Sequence, residues 1–301
     1  MTDGVLTLER QSGMGLSRDY RKGLVLTAGG TVLASFEGLL VRLVSVDSST
    51  VIFWRGILLG LVMLAILIAT RKKLHVRSLG FPAIAAILSF AGTILFFISA
   101  INATTVASTL VIASGAPLFA ALLGWLFLRE KPTRATSVAV VVVFAGLAII
   151  FSGSLATSFI VGDMLALGYA LSLAGYYVAL QRCPESQIPS IIAFGGILSG
   201  ILVWPFASAG IGSSNDLWIL LTLGVVIVPA ATMLLSSGPQ YMPASHVTLI
   251  MMLEIVLGPL WVWMALSETP SLTTACGGAL VLATIVAHSC LEGLRAAKPA
   301  I

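Results

Sequence analysis

The chain has 301 residues, of which 58% are hydrophobic and only 9% charged, with a formal net charge of +4. A soluble domain carries roughly 25% charged residues, so this composition excludes an ordinary soluble enzyme or binding module. The positive balance is no nucleic-acid footprint, because the basic residues fall in short loops between apolar runs.

The longest polar stretch, residues 1–21, is far below the roughly 50 residues that a separate soluble domain needs. The first apolar run, from Gly23 to about Val46, follows Arg18, Arg21 and Lys22 like the flank of a signal peptide. It is too long for one, and Glu37 interrupts it before any small-residue cleavage site, so it reads as a retained first span. A bilayer core takes roughly 20 apolar residues of helix. Runs of that length lie near 23–45, 50–70, 80–101, 104–128, 134–151, 161–181, 188–207, 217–238, 244–266 and 272–292. The expected fold class is therefore an all-α polytopic membrane protein with ten spans joined by short loops. Cys183, Cys276 and Cys290 are too few and too scattered for a disulfide framework or a metal site, and they read as packing residues.

Lys and Arg in short loops stay on the cytoplasmic side. With the N-terminus inside, 14 of the 16 basic residues fall in inner loops or tails, and the other two, Arg42 and Arg55, lie within or at the end of spans. Both termini are thus expected in the cytoplasm. The same count exposes a duplication. Leu128, Glu130 and Pro132 of LREKPTR return 138 residues later as Leu266, Glu268 and Pro270 of LSETPS, without the basic residues. Gly56 and Gly60 return as Gly196 and Gly200 at an offset of 140, and Gly23 returns as Gly162 at 139. Five spans per copy is an odd number, so the second copy must be inverted, the arrangement of many secondary transporters.

An ionised group at the bilayer centre costs about 2.5–3.5 kcal/mol on insertion scales, so such groups face a partner or a cavity. Glu37, Arg55 and Glu254 qualify. Glu37 and Arg55 lie at similar depth, roughly 8–12 Å in at 1.5 Å per residue, where consecutive antiparallel helices can pair them. That pair is either a structural bridge or, through the planar fork of arginine, a site for a substrate carboxylate or phosphate. Glu254 falls mid-span with no basic residue at its depth, which suits a proton-coupling or cation-binding carboxyl, an acid hydrogen-bonded to a neighbouring helix, or a residue capping a broken helix. Tyr169, Ser172 and Tyr176, joined by Tyr177, form a polar-aromatic stripe that suits a pocket for partly apolar metabolites. Gly29 and Gly30, with Pro117, Pro229 and Pro259, are candidate helix breaks for gating or static kinks. Trp54, Trp204, Trp218 and Trp263 read as interfacial anchors, and His246 and His288 as solvated or hydrogen-bonded groups, with a proton relay as the alternative. Asp163 and Asp216 sit at helix starts, where a carboxylate suits the dipole. Glu130 and Glu268 end their helices and read as structural.

The segments APLFAALLGWLFLREKP (116–132) and LEIVLGPLWVWMALSETP (253–270) resemble the drug/metabolite transporter superfamily, specifically its EamA-type ten-helix members. FWRG (53–56) looks like the arginine-bearing second helix of that family and GDMLALGYALSLAGYY (162–177) like its sixth, while Ile255 stands where a proline is common. The resemblance divides the chain into a cytoplasmic tail (1–21), a first repeat (22–152, helices 1–5), a second repeat (158–292, helices 6–10) and a short cytoplasmic tail (293–301). It implies spans 1–4 and 6–9 around a central cavity, with spans 5 and 10 supporting from one side. It also implies an integral bacterial inner-membrane exporter or exchanger of small metabolites, amino-acid-like or drug-like, working by alternating access, with proton coupling as a candidate. The alternative is an importer or a nucleotide-sugar or phosphate antiporter of the same superfamily. Expected partners are a small-molecule substrate, membrane lipid and a proton, with no nucleic acid and no cofactor, in a monomer or homodimer. An intramembrane enzyme finds no support, since the sequence has no HExxH, no GxSxG-type turn and no paired Asp motif at membrane depth.

Overall fold

A computed structural model describes residues 18–70, 80–128, 134–155, 159–208, 212–237, 241, 250–251 and 253–296. The regular structure among them is all helical. In chain order it comprises α1 (Arg18–Ser35), α2 (Glu37–Leu43), α3 (Ser48–Ala69), α4 (Phe81–Ala103), α5 (Val106–Ala113), α6 (Ala116–Leu123) and α7 (Arg134–Leu155). It continues with α8 (Ile160–Leu180), α9 (Ile188–Val203), α10 (Ser214–Leu221), α11 (Val228–Ser237), α12 (Leu253–Leu266) and α13 (Leu272–Ala296). Eight stretches of the described residues are long and apolar enough to cross a membrane, and two shorter apolar helices, Leu253–Leu266 and Leu272–His288, complete the set. Most of the entry to the ninth expected span (244–249 and 252), Glu130, Pro132 and His246 lie outside the described residues.

Several spans are interrupted. The first one turns at Phe36, between α1 and α2, rather than at Gly29–Gly30, through which α1 runs unbroken. Gly30 instead serves close packing, because a side chain there would meet Leu235 at 2.9 Å. The fourth span breaks at Ser114–Gly115, and Pro117 stands in the first turn of α6, where its missing N–H costs no hydrogen bond. A π-helical stretch, Thr222–Ile227, precedes Pro229 in the eighth span. The widened turns relieve the clash that a proline ring makes with the carbonyl four residues back. Pro259 breaks nothing among the described residues, as α12 continues on both sides of it.

The packing repeats across the two copies. Helices α4 and α8 pair, as do α1 and α11, their counterparts in the inverted copy, while α3 pairs with α9 and α7 with α13. Residue contacts follow the same rule: Phe96 lies against Gly168 as Leu235 lies against Gly30. At the α3–α9 crossing the repeated glycines face one another. A Cβ on Gly56 would stand 2.5 Å from the Gly196 carbonyl oxygen, and one on Gly196 would stand 2.8 Å from that of Gly56. Backbone cannot yield there without moving a helix. Overpacking costs about 1–3 kcal/mol even where side chains give, so Gly56→Val is expected to abolish the monodisperse peak in detergent gel filtration. A normal peak with an unchanged Tm would contradict this crossing.

One apolar core, around Leu59, Ile98, Ile101 and Leu223, joins α2–α5 to α9–α12. A second, around Ile112, Phe119, Ile150 and Val281, ties α7 and α13 to α5, α6 and α8. Outward, large residues such as Phe81 (83% exposed) and Leu272 (80%) present the surface that a lipid-facing protein requires.

Candidate functional site

The break at Phe36 makes Glu37 the first residue of α2 and turns it toward α3. Its carboxylate pairs with the Arg55 Nη2, as the matched depths predicted. Both side chains are largely buried, at 13% and 8% exposure. The Arg55 Nε and Nη1 groups are buried and have no acceptor among the described residues. Trp261 of α12 covers the break: its ring stacks on Phe36 at 4.8 Å and 11°, and its Nε1 donates to the Ser35 Oγ at 2.9 Å. First and ninth spans therefore meet at the residue preceding the buried pair.

Tyr169 of α8 lies within electrostatic reach of Glu254, Glu37, Arg55 and Tyr177, and its ring packs on Phe97 at 4.9 Å. Glu254, in the first turn of α12, also acts on Tyr177 and feels Glu37. Tyr177 keeps 43% exposure beside a buried Tyr176 (8%). Glu37, Arg55, Glu254, Tyr169 and Tyr177 thus form one constellation, drawn from α2, α3, α8 and α12.

The other two members of the expected stripe go elsewhere. Tyr176 is seven residues, about 10 Å, further along α8 than Tyr169. There its ring packs on Phe90 at 5.1 Å in a small core with Ala83, Ala86 and Ile191. Ser172 is rotated by about 60° from Tyr169 about the helix axis. It sits in the α4–α8 seam, where a Cβ on Gly92 would meet its Oγ at 2.7 Å. Gly168, Ser172 and Gly175 face Ser89, Gly92 and Phe96 along that seam. Helical spacing had aligned the stripe without showing that a neighbouring helix covers part of it.

A second polar assembly occupies one end of the bundle, where α2, α4 and α12 finish and α3, α5, α8 and α10 begin. Arg42, near the end of α2, pairs with Glu268 at 3.1 Å and donates to the Thr104 carbonyl at 2.7 Å. Glu268 in turn accepts from the Val106 N–H at 3.1 Å, meeting an orphan donor at the start of α5. The buried Asp163 accepts from the hydroxyls of Thr104 at 2.8 Å and Ser108 at 2.7 Å. Asp216 accepts from the Ser45 N–H and hydroxyl at 2.8 and 2.7 Å, and closes a capping box with Ser213. Asp47 caps α3 through Thr50 and also accepts from Ser208. Burial pushes the Asp47 carboxyl up, but the Thr50 and Ser208 hydrogen bonds outweigh it and hold the group below the usual carboxylate range. These contacts join the two repeats at that end. Asp163 and Asp216 do more than complement a dipole, and the Arg42–Glu268 pair was not foreseen.

At the opposite end Lys22 donates to the Tyr241 hydroxyl at 3.0 Å, and His288 of α13 contacts the Thr136 hydroxyl of α7 at 3.0 Å. Trp204, Trp218 and Trp263 are well exposed near helix ends, while Trp54 packs beside the first core.

The profile of the EamA-like transporter family matches this chain twice, over residues 21–152 and 160–289. An uncharacterized transporter of Bacillus subtilis (strain 168), YwfM, is 30% identical over 192 residues, which are 61% of this chain and 64% of that protein. The chain thus matches somewhat less than two thirds of the length of that curated relative. A crystal structure of another chain aligns with a TM-score of 0.63 at 19% identity, covering 89% of this chain and 97% of that one, and shares the fold. Two matching repeats spanning nearly all of the described helices settle the membership: the chain belongs to the EamA-like transporter family.

Proposed function

We propose that the protein is a secondary transporter that exports or exchanges small metabolites across the bacterial inner membrane by alternating access. The observation that carries this reading is the constellation of Glu37, Arg55, Glu254, Tyr169 and Tyr177, drawn from both repeats at membrane depth. Charged groups in that setting mark substrate or ion pathways. Arg55 and the tyrosines contact cargo, and Glu254, with no salt-bridge partner among the described residues, carries the coupling proton. The basic residues of the loops support cytoplasmic termini. In that orientation the Arg42–Glu268 end faces outward.

The test is a panel of radiolabelled amino acids, organic acids, nucleotides and cationic drugs in proteoliposomes, with and without an imposed pH gradient. Expected is saturable flux of at least one class that accelerates when the gradient is imposed. No flux of any class, together with turnover of a lipid or peptide, would sink the transporter reading.

A further inference from the structure

Two observations remain unexplained by pairing alone. Arg55 is 93% buried, by its 7% exposure, yet two of the three nitrogens of its guanidinium have no acceptor among the described residues. Unused charged donors away from water are costly unless something else supplies the oxygen atoms. Further, the seven-residue helix α2 carries an ion pair at each end. Glu37 opens it and binds Arg55 of α3, and Arg42 nearly closes it and binds Glu268 beyond α12. The turn at Phe36 separates this short helix from α1, and the Val44–Asp47 segment separates it from α3. A short rigid body between two breaks transmits movement from one end to the other.

We propose that an oxyanion group of the cargo takes Arg55 from Glu37, and that α2, released at this end, carries Arg42 off Glu268 and opens the far end of the bundle. The inference rests on the transport reading and names what that site recognises: a carboxylate or phosphate, for which the planar arginine fork is suited. Occupancy of the site and opening of the end closed by Arg42 are then one event. Glu268 loses Arg42, and the Val106 N–H that it holds becomes free to exchange.

The experiment uses the full chain in lipid nanodiscs and reads hydrogen–deuterium exchange over residues 104–110, with thermal stability alongside. Glu37→Gln imitates displacement of the carboxylate, and Glu37→Asp, shortened by one methylene, serves where the first variant does not fold. Expected is exchange about tenfold faster over 104–110 in either variant, approaching that of Glu268→Gln. Formate or inorganic phosphate should raise the Tm of Glu37→Gln by refilling the fork, and should leave the double variant Glu37→Gln/Arg55→Gln unmoved. Formate alone acting identifies a carboxylate cargo, and phosphate alone a phosphate cargo. Wild-type exchange over 104–110 in both Glu37 variants would overturn the proposal. So would equal stabilisation of single and double variants by either anion, or stabilisation of neither. No arm depends on flux, so its failure is distinct from failure of the transporter reading.

Discussion

Replacing Arg55 with Ala, or Glu37 with Ala, is expected to cost about 3–5 kcal/mol, the scale for leaving one member of a buried pair uncompensated. An exposed pair would cost only about 0–1 kcal/mol, and burial decides between the two scales: these side chains retain 8% and 13% exposure. Total stabilities of roughly 5–15 kcal/mol leave little margin after such a loss. Each single variant should therefore give little folded protein. The charge swap Glu37→Arg with Arg55→Glu should recover much of the yield, because it restores the pair at the same depth. Fluorescence-detected gel filtration of all four proteins is the measurement. Single variants with wild-type yield and Tm would show that the pair is not held in a dry setting.

Glu254→Gln has the second large expected effect. Glutamine keeps the shape and can still donate and accept hydrogen bonds, but it cannot release a proton. Gradient-driven flux should fall to the level of empty liposomes, while counterflow of labelled against unlabelled cargo continues. The separation of the two assays matters. Loss of both would assign Glu254 to cargo binding or to folding, and retention of gradient-driven uptake would remove it from coupling altogether.

Much of this architecture was legible in the chain because the bilayer imposes simple rules. Apolar run length gave the helices, and equal depth on antiparallel neighbours paired Glu37 with Arg55. The same depth argument, applied to Arg42 at the far end of the first span and Glu268 at the far end of the ninth, would have found that pair too. Periodicity misled where a neighbouring helix matters. Ser172 and Tyr169 share a stripe on paper, but Gly92 admits α4 against Ser172, which nothing local to α8 reveals. The turn at Phe36 was equally hidden. No proline marks it, the nearest glycine, Gly38, lies inside α2, and its support, the Trp261 ring and indole N–H, lies 225 positions away in the chain. The paired glycines of α3 and α9 were visible as a repeat, yet their mutual contact needed the fold.

The chemistry at the Arg42 end has a consequence for how it responds to salt. Its carboxylates, Asp47, Asp163 and Asp216, accept from hydroxyls and backbone N–H groups, and Arg42 is paired there with Glu268. Neutral dipoles sit in contact with their acceptors and are little screened, whereas two opposite full charges lose attraction as the Debye length shrinks from about 10 Å at 0.1 M to about 3 Å at 1 M. Among the described fastenings at that end, the Arg42–Glu268 link is the one expected to yield to ionic strength. Among the described contacts, the hydroxyl and backbone hydrogen bonds should hold across wide changes in salt, while the Arg42–Glu268 link is one that electrostatics can unfasten.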